Sequence, residues 1–172
     1  VFDTNDTQFG SPRDLDGKLQ LYFDGRNDYV EDASVMNNLD QASIMGWIKI
    51  DPTFYGRSMV FGQGNIEIEI EDYSQPKVYA RVNGTTLTND TSIHSSIKNQ
   101  WLHLALIYDG SNEKLKLYLN GQEIDDSSSP GPIIIPNDYQ FTLGRAANVN
   151  DTDSYFKGYI DEVRVFNKVL SK

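Results

Sequence analysis

The sequence predicts an all-β domain built from two antiparallel sheets packed face to face. Short β-rich runs alternate with clusters of Gly, Asn, Asp, Ser and Pro, and helical periodicity is nearly absent. Two Asn-Gly pairs, Asn83-Gly84 and Asn120-Gly121, each sit between strand-like runs and tolerate the positive φ of a tight hairpin turn. The run Lys114-Leu115-Lys116-Leu117-Tyr118-Leu119 puts its leucines on one face and its polar residues on the other, as a half-buried strand does.

The elements follow in order. Residues 1–16 are polar and weakly patterned, an edge strand or an arm. Strands are expected at 19–23, 29–31, 42–50, 58–61 and 65–71, each rich in aromatic or branched residues and bounded by Gly, Asp, Pro or Asn. Asn83-Gly84 joins strands at 77–82 and 85–88. The run 101–108 is apolar on both faces, which predicts a central strand covered on each side. Asp109-Gly110-Ser111-Asn112 turns it into the strand at 114–119. Three prolines and three serines make 127–136 a surface loop. Strands at 141–144 and 156–166 close the chain.

The 172 residues suit one domain spanning 1–172, and 38% hydrophobic content is enough for a core. The formal net charge of −10 opposes binding to nucleic acid phosphates or anionic membranes and suits divalent cations. With no cysteine, disulfides and thiolate metal sites are excluded. No apolar run approaches the ~18 residues of a membrane span. Val1-Phe2-Asp3 reads as the start of an excised or processed fragment. Asn-x-Thr acceptor motifs stand at Asn5, Asn83, Asn89 and Asn150, relevant to a secretory pathway that glycosylates asparagine.

Six pieces follow one another along the chain. They are Leu19-Gln-Leu-Tyr-Phe-Asp-Gly-Arg-Asn-Asp-Tyr-Val30, then Ala42-Ser-Ile-Met-Gly-Trp-Ile-Lys49, then Trp101-Leu-His-Leu-Ala-Leu-Ile-Tyr-Asp-Gly110. Leu117-Tyr-Leu-Asn-Gly121, Thr142-Leu-Gly-Arg145 and Phe156-Lys-Gly-Tyr-Ile-Asp-Glu-Val-Arg-Val-Phe-Asn167 follow. Over residues 18–171 the chain thereby resembles the laminin G-like, concanavalin A-like lectin family, pentraxins included. The resemblance implies a two-sheet antiparallel jelly-roll β-sandwich. It also implies a non-catalytic, secreted or cell-surface binding module inside a larger multidomain protein, with a glycan or polysaccharide as partner. A protein-binding or adhesion module of the same fold is the alternative.

Within this family one structural calcium often ties the last strand to the start of the chain. The resemblance places Asp161 in that role, with Gly17 and Asp24 as partners and Asp28 nearby. Calcium takes six to eight oxygens. The competing reading is that Asp24 and Asp28 cap turns through their own side chains. The segment 146–155, with Asn148, Asn150, Asp151 and Asp153, is dense in oxygens that suit a metal or sugar hydroxyls, or else is a solvated turn.

Period two puts Glu67, Glu69 and Glu71 on one face and Ile66, Ile68 and Ile70 in the core. Laminarinase-type hydrolases of the same family carry a related Glu-x-Asp-x-(x)-Glu strand, which would make Glu67 and Glu71 nucleophile and acid/base. Here Glu69 stands in place of the aspartate, no tryptophan-rich platform follows, and the long cleft-forming loops of such enzymes are missing. The expected reading is therefore no catalysis, with the glutamates balanced by Arg81, Lys114 or Lys116. A sugar-binding surface needs an exposed aromatic flanked by polar groups. Glu69, Tyr73, Arg81 and Tyr155 are the expected set, with Asn148 and Asp151 contributing from their loop. Trp47, in a run with Ile44, Ile48 and Ile50, is expected in the core, His103 to be structural, and Arg164 to pair with a carboxylate.

Overall fold

The computed structural model describes residues 9–13, 19–32, 35–37, 39–73, 76–88, 97–128, 139–146 and 155–171. Every regular element named among them is a strand. These are β1 (Phe9–Arg13), β2 (Leu19–Asp24), β3 (Val30–Asp32), β4 (Gln41–Ile50), β5 (Gly56–Gln63), β6 (Ile66–Asp72) and β7 (Lys77–Val82). They continue as β8 (Thr85–Thr88), β9 (Trp101–Asp109), β10 (Lys114–Leu119), β11 (Gln122–Ser128), β12 (Phe141–Leu143) and β13 (Lys157–Phe166). They form two antiparallel sheets, as the sequence predicts. One has seven strands in the order β1-β2-β13-β4-β9-β10-β11, the other six in the order β3-β12-β5-β6-β7-β8.

Period-two alternation decides what each sheet buries. In β4 the even residues Ala42, Ile44, Ile48 and Ile50 are buried, and in β9 so are Leu102, Leu104 and Leu106. Ile66, Ile68 and Ile70 of β6 and Val78, Ala80 and Val82 of β7 face them from the other sheet. Each fully buried Ile or Val side chain removed from water contributes roughly 1.5–3 kcal/mol before entropy is counted. Both Asn-Gly pairs turn as expected: φ is positive at Asn83 and Gly84, and at Asn120 and Gly121.

One edge element bears out the sequence reading and another departs from it. The N-terminal edge strand exists, as β1 beside β2. The strand β11 was not expected, because Gln122-Glu-Ile-Asp-Asp-Ser-Ser128 holds a single apolar residue. As the sheet's outermost strand it needs ladder bonds on one side only, and it takes them from β10. The expected loop at 127–136 thus begins inside β11, and its remainder from 129 lies outside the described residues.

Two features shape the outer face of the seven-stranded sheet. A bulge lies between Asp161 and Arg164 in β13, with Glu162 at φ 48. After β13 the chain folds back over the outside of β4. The buried Ser43 donates its Oγ–H to the carbonyl of Lys168 at 2.7 Å, and Leu170 N–H donates to Ser43 Oγ at 3.1 Å.

Candidate ligand-binding site

The odd residues of β4 and β9 point away from the core. They meet across the ladder in rows, because Trp47 is opposite His103 and Lys49 is opposite Trp101. β13 extends both rows, with Asp161 opposite Trp47 and Tyr159 opposite Lys49. Tyr22 of β2 lies opposite Tyr159. At the other end Asn120, in the turn after β10, donates its backbone N–H to the His103 carbonyl at 2.8 Å. Its side-chain oxygen accepts the His103 backbone N–H at 2.8 Å.

The centre of this face is a groove of about 610 Å³ lined by Met45, Trp47, Trp101, His103, Asn120, Gly121, Glu162 and Arg164. Trp47 is 38% exposed, and its ring meets that of His103 edge-to-face at 5.1 Å. Partial burial lowers the His103 pKa below the usual histidine value, so the imidazole is neutral near pH 7. Arg164 and Glu162 pair at 3.2 Å on the rim. Trp101 and Tyr159 lean together at 6.3 Å, and Tyr159 and Tyr22 at 5.0 Å. The returning C-terminal segment closes the other side. Leu170 and Ser171 line a smaller cavity of about 120 Å³ with Ala105, Ile107 and Tyr118.

This corrects two expectations. Trp47 is not a core anchor: it has the odd parity of Lys49 and Met45, not the even parity of Ile44, Ile48 and Ile50. The same parity puts Trp101 and His103 outside while Leu102 and Leu104 go in. That signal was readable in the sequence, but a run rich in isoleucine masked it. The expectation that β9 is covered on both faces holds for Ala105 and Ile107, which are buried, and not for Trp101. Arg164 pairs with a carboxylate as expected.

The residues expected to bind sugar lie elsewhere. Glu69 and Arg81 are on the outside of the six-stranded sheet, 3.6 Å apart, and Arg81 also reaches Glu67 at 3.7 Å. Arg57 pairs with Glu69 and stacks over Tyr79 at 5.2 Å. Tyr79 donates its hydroxyl hydrogen to Glu71 at 3.1 Å. The glutamate face is thus balanced by basic neighbours, with Arg57 unforeseen. Lys114 and Lys116 belong to β10 in the other sheet, where Lys116 pairs with Glu123 at 2.7 Å. Tyr73 is 57% exposed and meets the 73% exposed Tyr55 edge-to-face at 5.5 Å, beyond the end of β6. Tyr155 precedes Phe156, whose N–H donates to the Gly144 carbonyl at 2.8 Å, on the β12 side of β5. Among the described residues no contact joins Tyr73 and Tyr155 to Glu69 and Arg81 as one site. Asn148 and Asp151 lie outside the described residues.

The described part of the expected calcium set does not converge. Asp24 is opposite Lys157, whereas Asp161 lies four residues further along β13 and faces Trp47. At about 3.3 Å per residue that separates them by ~13 Å, too far for one ion. Asp24 accepts the Arg26 N–H at 2.7 Å and its own N–H donates to Asp28 at 2.8 Å, the turn-capping arrangement. Gly17 lies outside the described residues.

Comparison with known proteins matches residues 14–172 to the family described as the concanavalin A-like lectin/glucanases superfamily. No curated protein sequence matches the chain. Among solved structures, domain 4 of AbnA, a GH43 extracellular arabinanase from Geobacillus stearothermophilus in complex with arabinotriose, superposes with TM-score 0.69 at 20% identity. It covers 97% of this chain and 78% of that one. The heptameric SAP-like pentraxin of Limulus polyphemus gives TM-score 0.69 at 13% identity, covering 88% and 77%. The CBM40 of the Ruminococcus gnavus IT-sialidase, bound to α2,3 sialyllactose, gives 0.60 at 18% identity, covering 84% and 92%.

Proposed function

Because the chain belongs to the concanavalin A-like lectin/glucanases superfamily, we propose that it is a non-catalytic module that binds an extracellular glycan in the groove between Trp47 and Trp101. The observation that carries this reading is the half-exposed Trp47 beside His103, Asn120 and the Arg164–Glu162 pair. An aromatic face packs against the C–H surface of a sugar ring, and adjoining polar groups hydrogen-bond its hydroxyls. The protein is displayed or secreted as part of a larger protein, as the AbnA domain is part of an extracellular arabinanase.

The absence of catalysis is supported by the engagement of the candidate carboxylates. Glu67 is tied to Arg81, Glu69 to Arg57 and Arg81, and Glu71 to Tyr79. Retaining hydrolysis needs one carboxyl free to attack the sugar and one free to protonate the leaving group, and these three are already held by neighbours. Affinity electrophoresis in gels containing plant, algal and bacterial polysaccharides tests the proposal. Retardation of the protein that disappears in Trp47→Ala is the expected result. Unretarded migration in every gel, with capture by a cell-surface protein, would assign the fold to adhesion instead.

A further inference from the structure

We propose that the groove takes an internal stretch of an uncharged, linear polysaccharide laid across the strands, and not the end of a chain or a single sugar. This rests on the glycan-binding reading above and adds length, direction and charge to it.

Direction follows from what is open and what is closed. Along the strands, the segment Lys168–Ser171 covers the outside of β4 and β9 from Ser43 to Ile107, so a ligand running that way meets a wall. Across the strands the outward rows continue from one strand to the next. Trp101, Lys49, Tyr159 and Tyr22 occupy one continuous cross-strand row over β9, β4, β13 and β2. Asn120, His103, Trp47 and Asp161 form the next row, one step along the same strands.

Length follows from strand spacing. From β10 to β2 there are four strand intervals, and at ~4.8 Å each the platform spans about 19 Å. One strand interval, ~4.8 Å, is also about the advance of one sugar ring in an extended chain, so the platform accommodates roughly three to four rings. Ring contacts run from β9 to β2, through Trp47–His103, Trp101–Tyr159 and Tyr159–Tyr22. A binder of a lone terminal sugar would need only the first of these.

Charge follows from the groups on the face. Lys49 and Arg164 stand among Asp161 and Glu162, and Arg164 is already paired with Glu162. No surplus of cations waits for a uronate or sulfate, and the whole chain carries a formal net charge of −10, which repels polyanions.

The test has two stages on the whole chain. Affinity gels with neutral polymers (β-glucans, xylan, mannan, arabinan) are run beside gels with acidic ones (polygalacturonate, alginate). Titration calorimetry then measures oligosaccharides of one to six residues cut from whichever polymer retards the protein. Expected is retention by a neutral polymer, unchanged at high salt, with affinity rising at least tenfold from disaccharide to tetrasaccharide and then levelling. Tyr22→Ala and Tyr159→Ala should each weaken the tetrasaccharide about fivefold, the scale of one lost aromatic contact, and leave the disaccharide unchanged. Should Tyr159→Ala melt early, Tyr22→Ser supplies the same readout from the margin of the platform. Equal affinity for monosaccharide and tetrasaccharide, or retention only by acidic polymers, overturns this inference and leaves glycan binding standing. Retention by no polysaccharide overturns both.

Discussion

Trp47 and His103 face each other across the β4–β9 ladder with ring centroids 5.1 Å apart and planes 64° apart. Each ring shields one side of the other from water while Trp47 keeps 38% of its surface exposed. The pair is held from below by the ladder and from the side by Asn120. An indole fixed this way loses little entropy when a sugar packs on it, which is what makes a rigid aromatic a good anchor.

Trp47→Ala should therefore cost binding much more than stability. We expect polysaccharide affinity to fall about tenfold or more, as for a central aromatic anchor, while thermal stability changes little. Affinity electrophoresis beside a melting curve separates the two. A large drop in melting temperature would mean that Trp47 packs the core after all.

His103 makes stability depend on pH. Its folded-state pKa lies below its ordinary value because burial disfavours the charged imidazolium. The unfolded chain therefore binds more protons in the interval between the two values. Stability from this group is complete above the unfolded pKa of about 6.5 and declines as pH falls below it. Melting curves from pH 8 to pH 5 should show that decline lessened in His103→Gln. An identical pH profile in the variant would remove this assignment.

Glu67→Gln and Glu71→Gln should leave polysaccharide binding unchanged, since both sit on the other sheet from the groove. The unmutated chain by itself should release no reducing sugar from any polymer it binds. Glu69→Ala is different, because it strips Arg57 and Arg81 of their shared carboxylate. Glu69 is buried while Arg57 and Arg81 are partly exposed, so a loss of about 1–3 kcal/mol is expected in urea unfolding. Turnover that disappears in Glu67→Gln and Glu71→Gln would instead make the chain a hydrolase.

The two sheets were legible in the sequence because alternation and Asn-Gly turns are local signals, and those act within a few residues. The groove was not, because it is assembled from β9, β4, β13 and a turn far apart in the chain. The tyrosines near β6 read as aromatics in a polar context, yet Tyr73 meets Tyr55 edge-to-face and not the glutamate strand. The Arg57–Glu69 pair has no local signature, since pairing across β5 and β6 depends on a register set by a bulge between Met59 and Phe61. Edge strand β11 carried too little apolar pattern to be read at all.

Calcium dependence separates by residue. If adding and chelating Ca²⁺ shifts the melting temperature, the shift should persist in Asp161→Ala, whose carboxylate is ~13 Å along the strand from Asp24. The same variant should weaken polysaccharide binding, because Asp161 faces Trp47. Loss of a calcium shift in Asp161→Ala would restore the ion to the last strand.

Gly144→Ala should be severely destabilising. Gly144 holds φ at 81°, and a Cβ there would collide with the Phe23 ring inside the core. Strain and overpacking together should cost at least ~2 kcal/mol, measured by denaturant unfolding.

The bulge at Glu162 works as a phase shifter for β13. Ahead of it Ile160 points into the core and Asp161 toward Trp47; beyond it Val163 packs by Gly46 and Phe61, and Arg164 stands opposite Met45 on the outer surface. Pairing the same residues without the bulge would swap the orientations that follow, driving a guanidinium inward and two valines into solvent. The polar rim of the groove and the hydrophobic seal beneath it thus both depend on one extra residue being taken up as a bulge and not as a step of the ladder.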